Sequence, residues 1–111
     1  MADRALAIGR APITITTGVG LHTLVAGQAG YRIVLIALVL TSDGASLATI
    51  QDGTTSLMDL RLVNGSVVVM PENNAGWLAA AEGDDLDLSL MANVNLGGVA
   101  VYRMLPSHVN L

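Results

Sequence analysis

Pairs of turn-forming residues interrupt this chain at short intervals, and they constrain its fold more than any other feature. Gly, Asn and Asp tolerate positive φ angles, so such pairs end an element rather than continue it. The segments between them are short and rich in Val, Ile, Leu and Thr. This spacing is typical of an all-β sandwich or barrel. The main pairs are Thr17-Gly18, Asp43-Gly44, Asp52-Gly53, Asn64-Gly65, Gly83-Asp84 and Gly97-Gly98.

A chain of 111 residues fits a single domain. We expect an N-terminal arm over residues 1–11 and a β-sandwich over residues 12–111. Asn64-Gly65, within RLVNGSVVV, fits the two-residue type I′ turn of a hairpin. Helix is least excluded at GWLAAAEG, residues 76–83, because Ala favours helix. The predicted strands are residues 13–17, 21–26, 31–41, 46–51, 56–63, 66–71, 76–80, 86–92 and 99–105.

The segment 31–41 is apolar on both faces of its predicted strand. Only one face of a strand points into the core of a two-layer sandwich, so the other must meet something else. The chain is 52% hydrophobic and 13% charged, about half the usual charged share. Since large exposed apolar patches usually mark interfaces, we predict that copies of the chain associate. The predicted interface residues are Val34, Ile36, Leu38, Leu40 and Trp77.

The composition also argues against several kinds of partner. The net charge is −4, and the chain has five scattered Arg and no Lys, whereas nucleic-acid binding needs a concentrated cationic stripe. The absence of Cys suits a reducing cytosol. The longest strongly apolar run, residues 33–40, is far shorter than the roughly 20 residues of a membrane helix. We therefore expect a soluble protein with no export signal and with neither nucleic acid nor membrane as a partner.

Four carboxylates crowd into a short stretch: Glu82, Asp84, Asp85 and Asp87. Calcium loops follow spacings such as D-x-[DN]-x-[DN]-G with a distal Glu, and EGDDLDL lacks that spacing. We expect a turn at Gly83-Asp84, followed by a strand on which Asp85 and Asp87 keep one face solvated. A calcium site is the alternative reading of the same residues.

No other motif points to catalysis or a cofactor. His22 and His108 are the only imidazoles, far apart and without a His-x-His pair, so a metal centre is not expected. The chain has neither a G-x-S-x-G elbow nor a phosphate-binding loop. Trp77 is expected to anchor a core or an interface, with stacking on a sugar ring as the alternative. We therefore predict a protein that is not an enzyme and binds no cofactor.

The C-terminal third carries the residues of a family resemblance. PENNAGWLAAAEGDDLDLSL, residues 71–90, is followed by VNLGGVAVYR, residues 94–103. With looser similarity over residues 12–105, the chain resembles small β-sandwich proteins encoded among the structural genes of tailed bacteriophages. The Gly-Asp turn, the alternating Leu and the closing Tyr strand also resemble trimeric jelly rolls of the C1q and tumour-necrosis-factor type.

The resemblance implies a jelly-roll-like antiparallel sandwich that serves as a head decoration, or cement, protein. Such a subunit would assemble in the host cytoplasm, sit on the capsid surface as a homotrimer, and bind the major capsid protein or other virion proteins. We expect the arm, with Arg4 and Arg10, to contact the capsid. The alternative is a glycan- or receptor-binding module of a head fibre, spike or tail.

Overall fold

Two antiparallel β-sheets pack face to face in the computed structural model, which describes residues 8–16, 19–53 and 55–107. No helix within these residues is long and apolar enough to cross a membrane. The strands are β1 (Ile8–Ile15), β2 (Gly20–Val25), β3 (Tyr31–Ser42), β4 (Ser46–Asp52), β5 (Thr55–Leu62), β6 (Val67–Met70), β7 (Leu78–Ala79), β8 (Leu86–Leu90) and β9 (Leu96–Pro106).

The strand order is that of a jelly roll. Sheet A has the order β1-β9-β3-β6, with β7 also paired to β3, and sheet B has the order β2-β8-β4-β5. If β6 and β7 count as one interrupted strand along β3, every connection except the β4–β5 hairpin passes from one sheet to the other. Two four-stranded sheets connected in this way make a double Greek key. The prediction of an all-β, two-sheet, antiparallel sandwich is confirmed.

The turn at Asn64-Gly65 joins two sheets and does not form a hairpin, so that prediction is wrong. β5 belongs to sheet B and β6 to sheet A. The Ser66 amide donates to the Val63 carbonyl, which closes the turn, and Gly65 has a φ of +82°. The Gly65 amide then donates to the Ser42 carbonyl at the end of β3. A local turn pattern indicates that the chain reverses, but tertiary contacts decide which strand lies beside it.

A β-bulge divides β3 into two halves that face opposite ways. Its register against β9 shifts between Leu35 and Ala37, so Ile36 is an extra residue. A one-residue shift exchanges the two faces of a strand. The bulge therefore gives β3 four core residues, namely Ile33, Leu35, Leu38 and Leu40.

A second apolar cluster lies on the outer face of sheet A, beside the first half of β3. Val34 and Ile36 pack there against Leu105 and are themselves buried. The 71–77 loop, between β6 and β7, runs against this cluster: the Asn73 amide donates to the Ile36 carbonyl, and Gly76 approaches Val34 so closely that a Cβ would not fit. Val34, Ile36, Leu38 and Leu40 are thus buried within the chain itself, which leaves them no surface for another subunit.

Two further expectations differ from the structure at element boundaries. β1 begins at Ile8, opposite Arg103 of β9, so residues 8–11 of the expected arm, including Arg10, belong to sheet A. Residues 1–7, with Arg4, lie outside the described part of the chain. The segment 76–83 forms no helix: β7 pairs with β3, and the Asp84 amide then donates to the Ala81 carbonyl in a turn.

A matched pair of Val→Ala variants tests where the apolar surface of β3 and β6 is buried. Val34 is 2% exposed and Val69 is 59% exposed. We expect Val34→Ala to lower the free energy of unfolding by about 2 kcal/mol through lost burial and the cavity left behind. Val69→Ala should change it by less than about 0.5 kcal/mol. Urea unfolding at several protein concentrations checks this, since a loss at Val34 that depends on concentration would contradict burial within one chain.

Candidate functional site

The acidic segment serves as a set of acceptors for loop amides. Asp85 Oδ1 accepts a hydrogen bond from the Gly27 amide at 2.6 Å, and Glu82 Oε2 accepts one from the Gly30 amide at 2.6 Å. At the end of β4, Asp52 Oδ2 accepts a hydrogen bond from the Ala81 amide at 2.8 Å. Hydrogen bonds between charged acceptors and backbone amides are among the stronger ones in proteins. These carboxylates therefore fasten the β7–β8 connection to the β2–β3 connection and to β4.

Asp87 is buried, so the expectation that it keeps one strand face solvated is wrong. β8 is a central strand between β2 and β4, and Asp87 is only 4% exposed. Burial raises the pKa of Asp87, and the negative charges of Asp85, Asp52 and Asp84 add to the rise. A hydrogen bond with the Thr23 side chain acts in the opposite direction on that pKa. Asp87 Oδ1 is buried without a hydrogen-bond partner.

The acidic segment does not have the geometry of a metal centre. Within residues 8–16, 19–53 and 55–107, no three His, Cys, Asp or Glu side chains are grouped so that they could hold an ion. Glu82 and Asp85 of the segment, together with Asp52 of β4, are instead bound to loop amides. These hydrogen bonds give the three carboxylates a structural role at this end of the sandwich.

The exposed apolar surface lies on the outer face of sheet A, around the second half of β3. A row of outward side chains crosses all four strands there, because Pro12 pairs with Val99, Val99 with Val39, and Val39 with Val69. Val39, Val67 and Val69 are exposed. The described strands of sheet A carry Arg but neither Asp nor Glu. Protein interfaces are likewise depleted of Asp, Glu and Lys and enriched in Arg.

Trp77 stands at the β6–β7 edge of the same sheet. Its side chain is 41% exposed, and its indole Nε1–H donates to the Pro71 carbonyl at 2.8 Å. Its backbone amide donates to the Leu35 carbonyl of β3 at 2.8 Å. The indole is therefore held in place while much of its surface stays open to solvent. This agrees with an interface anchor and also with a stacking platform.

A groove lies at the opposite edge of the sandwich, between the edge strands of the two sheets. It has a volume of about 340 Å³ and is lined by residues 12–15 of β1 and 21–24 of β2. His22 is one of the lining residues and is half-buried, while His108 lies outside the described residues. Sequence reasoning missed this groove because nothing local shows that β1 and β2 end up as neighbouring edges.

No protein-family model matches the chain, and no curated protein matches it at a significant level. The surface of the sandwich has three features that bear on function: an apolar face on sheet A, a fixed and exposed Trp77, and a groove on the far edge.

Replacing Asp87 by Asn tests the cost of burying this carboxylate. A folded-state pKa raised above the unfolded value means that stability falls as the pH rises through that pKa. Relative to acidic pH, neutral pH therefore shifts the equilibrium at Asp87 toward the unfolded chain. Asp87→Asn should raise the free energy of unfolding at pH 7 by on the order of 1 kcal/mol, with a smaller gain below pH 4.

Asp59→Asn is the matched control, because Asp59 is exposed and accepts a hydrogen bond from the Thr49 hydroxyl. It should not raise stability at pH 7. Urea unfolding at both pH values decides the matter, and an Asp87→Asn variant that is less stable at pH 7 would show that the charge supports the fold.

Proposed function

We propose that the protein is a structural subunit of a bacteriophage virion, a decoration or cement protein that assembles as a homotrimer on the head and stabilises the shell. The exposed apolar face of sheet A carries this proposal, because its strands bear Arg and no carboxylate and it lies beside an exposed Trp. Jelly rolls occur in viral capsid domains, which supports it further. The resemblance of residues 71–103 to phage structural proteins supplies the virion as the setting.

The proposed mechanism is stabilisation by binding to the assembled state alone. A ligand that binds only one state of an equilibrium shifts it by mass action, so a subunit that fits only the assembled shell opposes disassembly. A trimer can contact several shell subunits at once, and this raises the effective concentration of each contact after the first. The role requires neither catalysis nor a cofactor, and the partners would be further copies of the chain and the major capsid protein or other virion proteins.

The shell contact is proposed for residues 1–7, which include Arg4. These residues lie outside the described part of the chain, and Arg10 is placed in β1 rather than in an arm. A short segment that orders on binding can cover much surface for few residues. On this proposal, assembly takes place in the host cytoplasm and the mature protein lies on the capsid surface.

Removing residues 2–7 tests the shell contact. The variant should keep the native mass of the full chain by light scattering, because β1 begins at Ile8. It should no longer sediment with purified phage shells, whereas the full chain should bind them saturably. The control is Val63→Ala, an exposed change in the β5–β6 turn, which should bind normally. Saturable binding of the truncated chain would refute the role of this segment, and failure of the full chain to bind would refute the proposed function.

A glycan- or receptor-binding module is the second candidate, and the fixed, exposed indole of Trp77 favours it. An aromatic face held in this way can stack on a sugar ring. A glycan array with and without a chelator separates the two functions. Binding that Trp77→Ala abolishes would support the module, and sensitivity to the chelator would revive the calcium alternative.

A further inference from the structure

We infer that copies of this chain join head to tail, with Trp77 of one copy seated in the β1–β2 groove of the next. This inference rests on the self-assembly in the proposed function and names the surfaces that would carry it. We call the three exposed residues Pro71, Glu72 and Trp77 the knob. We call the space lined by residues 12–15 and 21–24 the socket.

The knob has the properties of a binding anchor before any partner arrives. The bond from the indole to the Pro71 carbonyl fixes the Trp77 side chain, so little conformational freedom remains to be lost on binding. Arg103 Nη2 donates to the Asn74 carbonyl at 2.7 Å and ties the same loop to β9. Trp, with Tyr and Arg, is enriched among the few residues that carry most of the binding energy of an interface.

The socket has the size to receive such an anchor. Its volume of about 340 Å³ lies within the range of pockets that enclose small molecules. Ile13 and Ile15 belong to the core beneath the groove, Thr14, His22 and Thr23 give it polar lining, and Leu21, 56% exposed, stands among the lining residues. Within the described residues, β1 pairs only with β9, and β2 pairs only with β8. The socket is thus an open seam between two sheet edges, where an occupant would shield the exposed Leu21 side chain from water.

Complementary charges flank the knob and the socket. Glu72 belongs to the knob and is exposed. Arg10 is exposed on β1, two residues before Pro12 and on the same face of the strand. In the described part of the chain, neither residue pairs with an opposite charge. A pair of this kind at the rim of a contact guides association and register more than it adds affinity.

The placement of the two surfaces agrees with a ring. β1 and β6 are the opposite edges of sheet A, so the socket lies on one side of the molecule and the knob on the other. A contact between two different surfaces is heterologous, and such contacts close into rings when the rotation permits. A trimer requires this type of contact, since a two-fold contact joins only pairs. Each copy would use its knob once and its socket once.

Complementation between two defective variants tests the inference. Trp77→Ala removes the knob and Leu21→Arg obstructs the socket, and both positions are exposed enough to leave the fold intact, which circular dichroism checks. By light scattering, the wild type and the Val63→Ala control should be trimers, and each variant alone should be a monomer. An equimolar mixture should give a 1:1 heterodimer, because the Leu21→Arg chain offers a knob and the Trp77→Ala chain offers a socket.

Other outcomes would overturn the inference and remain distinct from failure of the proposed function. If Trp77→Ala stays trimeric, or if the mixture contains only monomers, Trp77 does not enter the socket. If both variants stay trimeric and Leu21→Arg alone loses shell binding, the socket holds an extended segment of a shell protein instead. If the wild type is a monomer that still binds shells, the head-to-tail contact fails while the structural role stands.

Charge reversal supplies an independent arm of the same experiment. Arg10→Glu and Glu72→Arg should each weaken association several-fold, most clearly at low salt. The double variant should recover most of the loss, because the two charges are exchanged across the contact. Additive losses in the double variant would show that these residues do not face each other.

Discussion

The bulge at Ile36 decides how a strand that is apolar on both sides fits into a two-layer fold. β3 pairs with β9 along one edge and with β6 and β7 along the other, so the whole of sheet A depends on its register. With regular alternation, Leu38 and Leu40 would point outward while Ala37 and Val39 entered the core. The extra residue exchanges the two faces of β3 at this point, so that Leu38 and Leu40 join Ile33 and Leu35 in the core. Val34 and Ile36 then lie on the outer face, where they form a second buried cluster with Leu105.

The loop that supplies this cover also shapes the exposed surface. Residues 71–77 leave β6, pass close to Val34 and lead into β7, which pairs with β3. The outer face of sheet A is therefore closed around Val34 and stays open around Val39 and Val69. The same path brings Trp77 to the sheet edge with its indole bonded to Pro71. The same loop therefore covers the outward apolar side chains of β3 and holds Trp77 at the sheet edge. A change that loosens the loop should affect both.

Much of the architecture follows from local patterns, and its exceptions follow from pairing that is not local. Turn pairs and β-branched runs predict the strands and the sandwich, since both properties are set within a few residues. The Asn64-Gly65 crossover and the Ile36 bulge depend on which strands become neighbours, and no stretch of a few residues contains that information. The same holds for the candidate site: Trp77 was predicted as an anchor, but the socket and the burial of Asp87 arise only when β1, β2, β4 and β8 assemble.

Acidic and basic side chains are distributed unevenly over the molecule. The carboxylates Glu82, Asp84 and Asp85 lie in the connection before β8, two of them bonded to loop amides, while the strands of sheet A bear only Arg. The carboxylates that give the chain its net charge of −4 therefore lie outside the strands of sheet A. An acidic partner surface would be repelled by the loops around residues 82–85 and attracted toward Arg10 on β1. Like-charge repulsion around residues 82–85, together with burial of the apolar face, would discriminate between orientations of the chain as it docks.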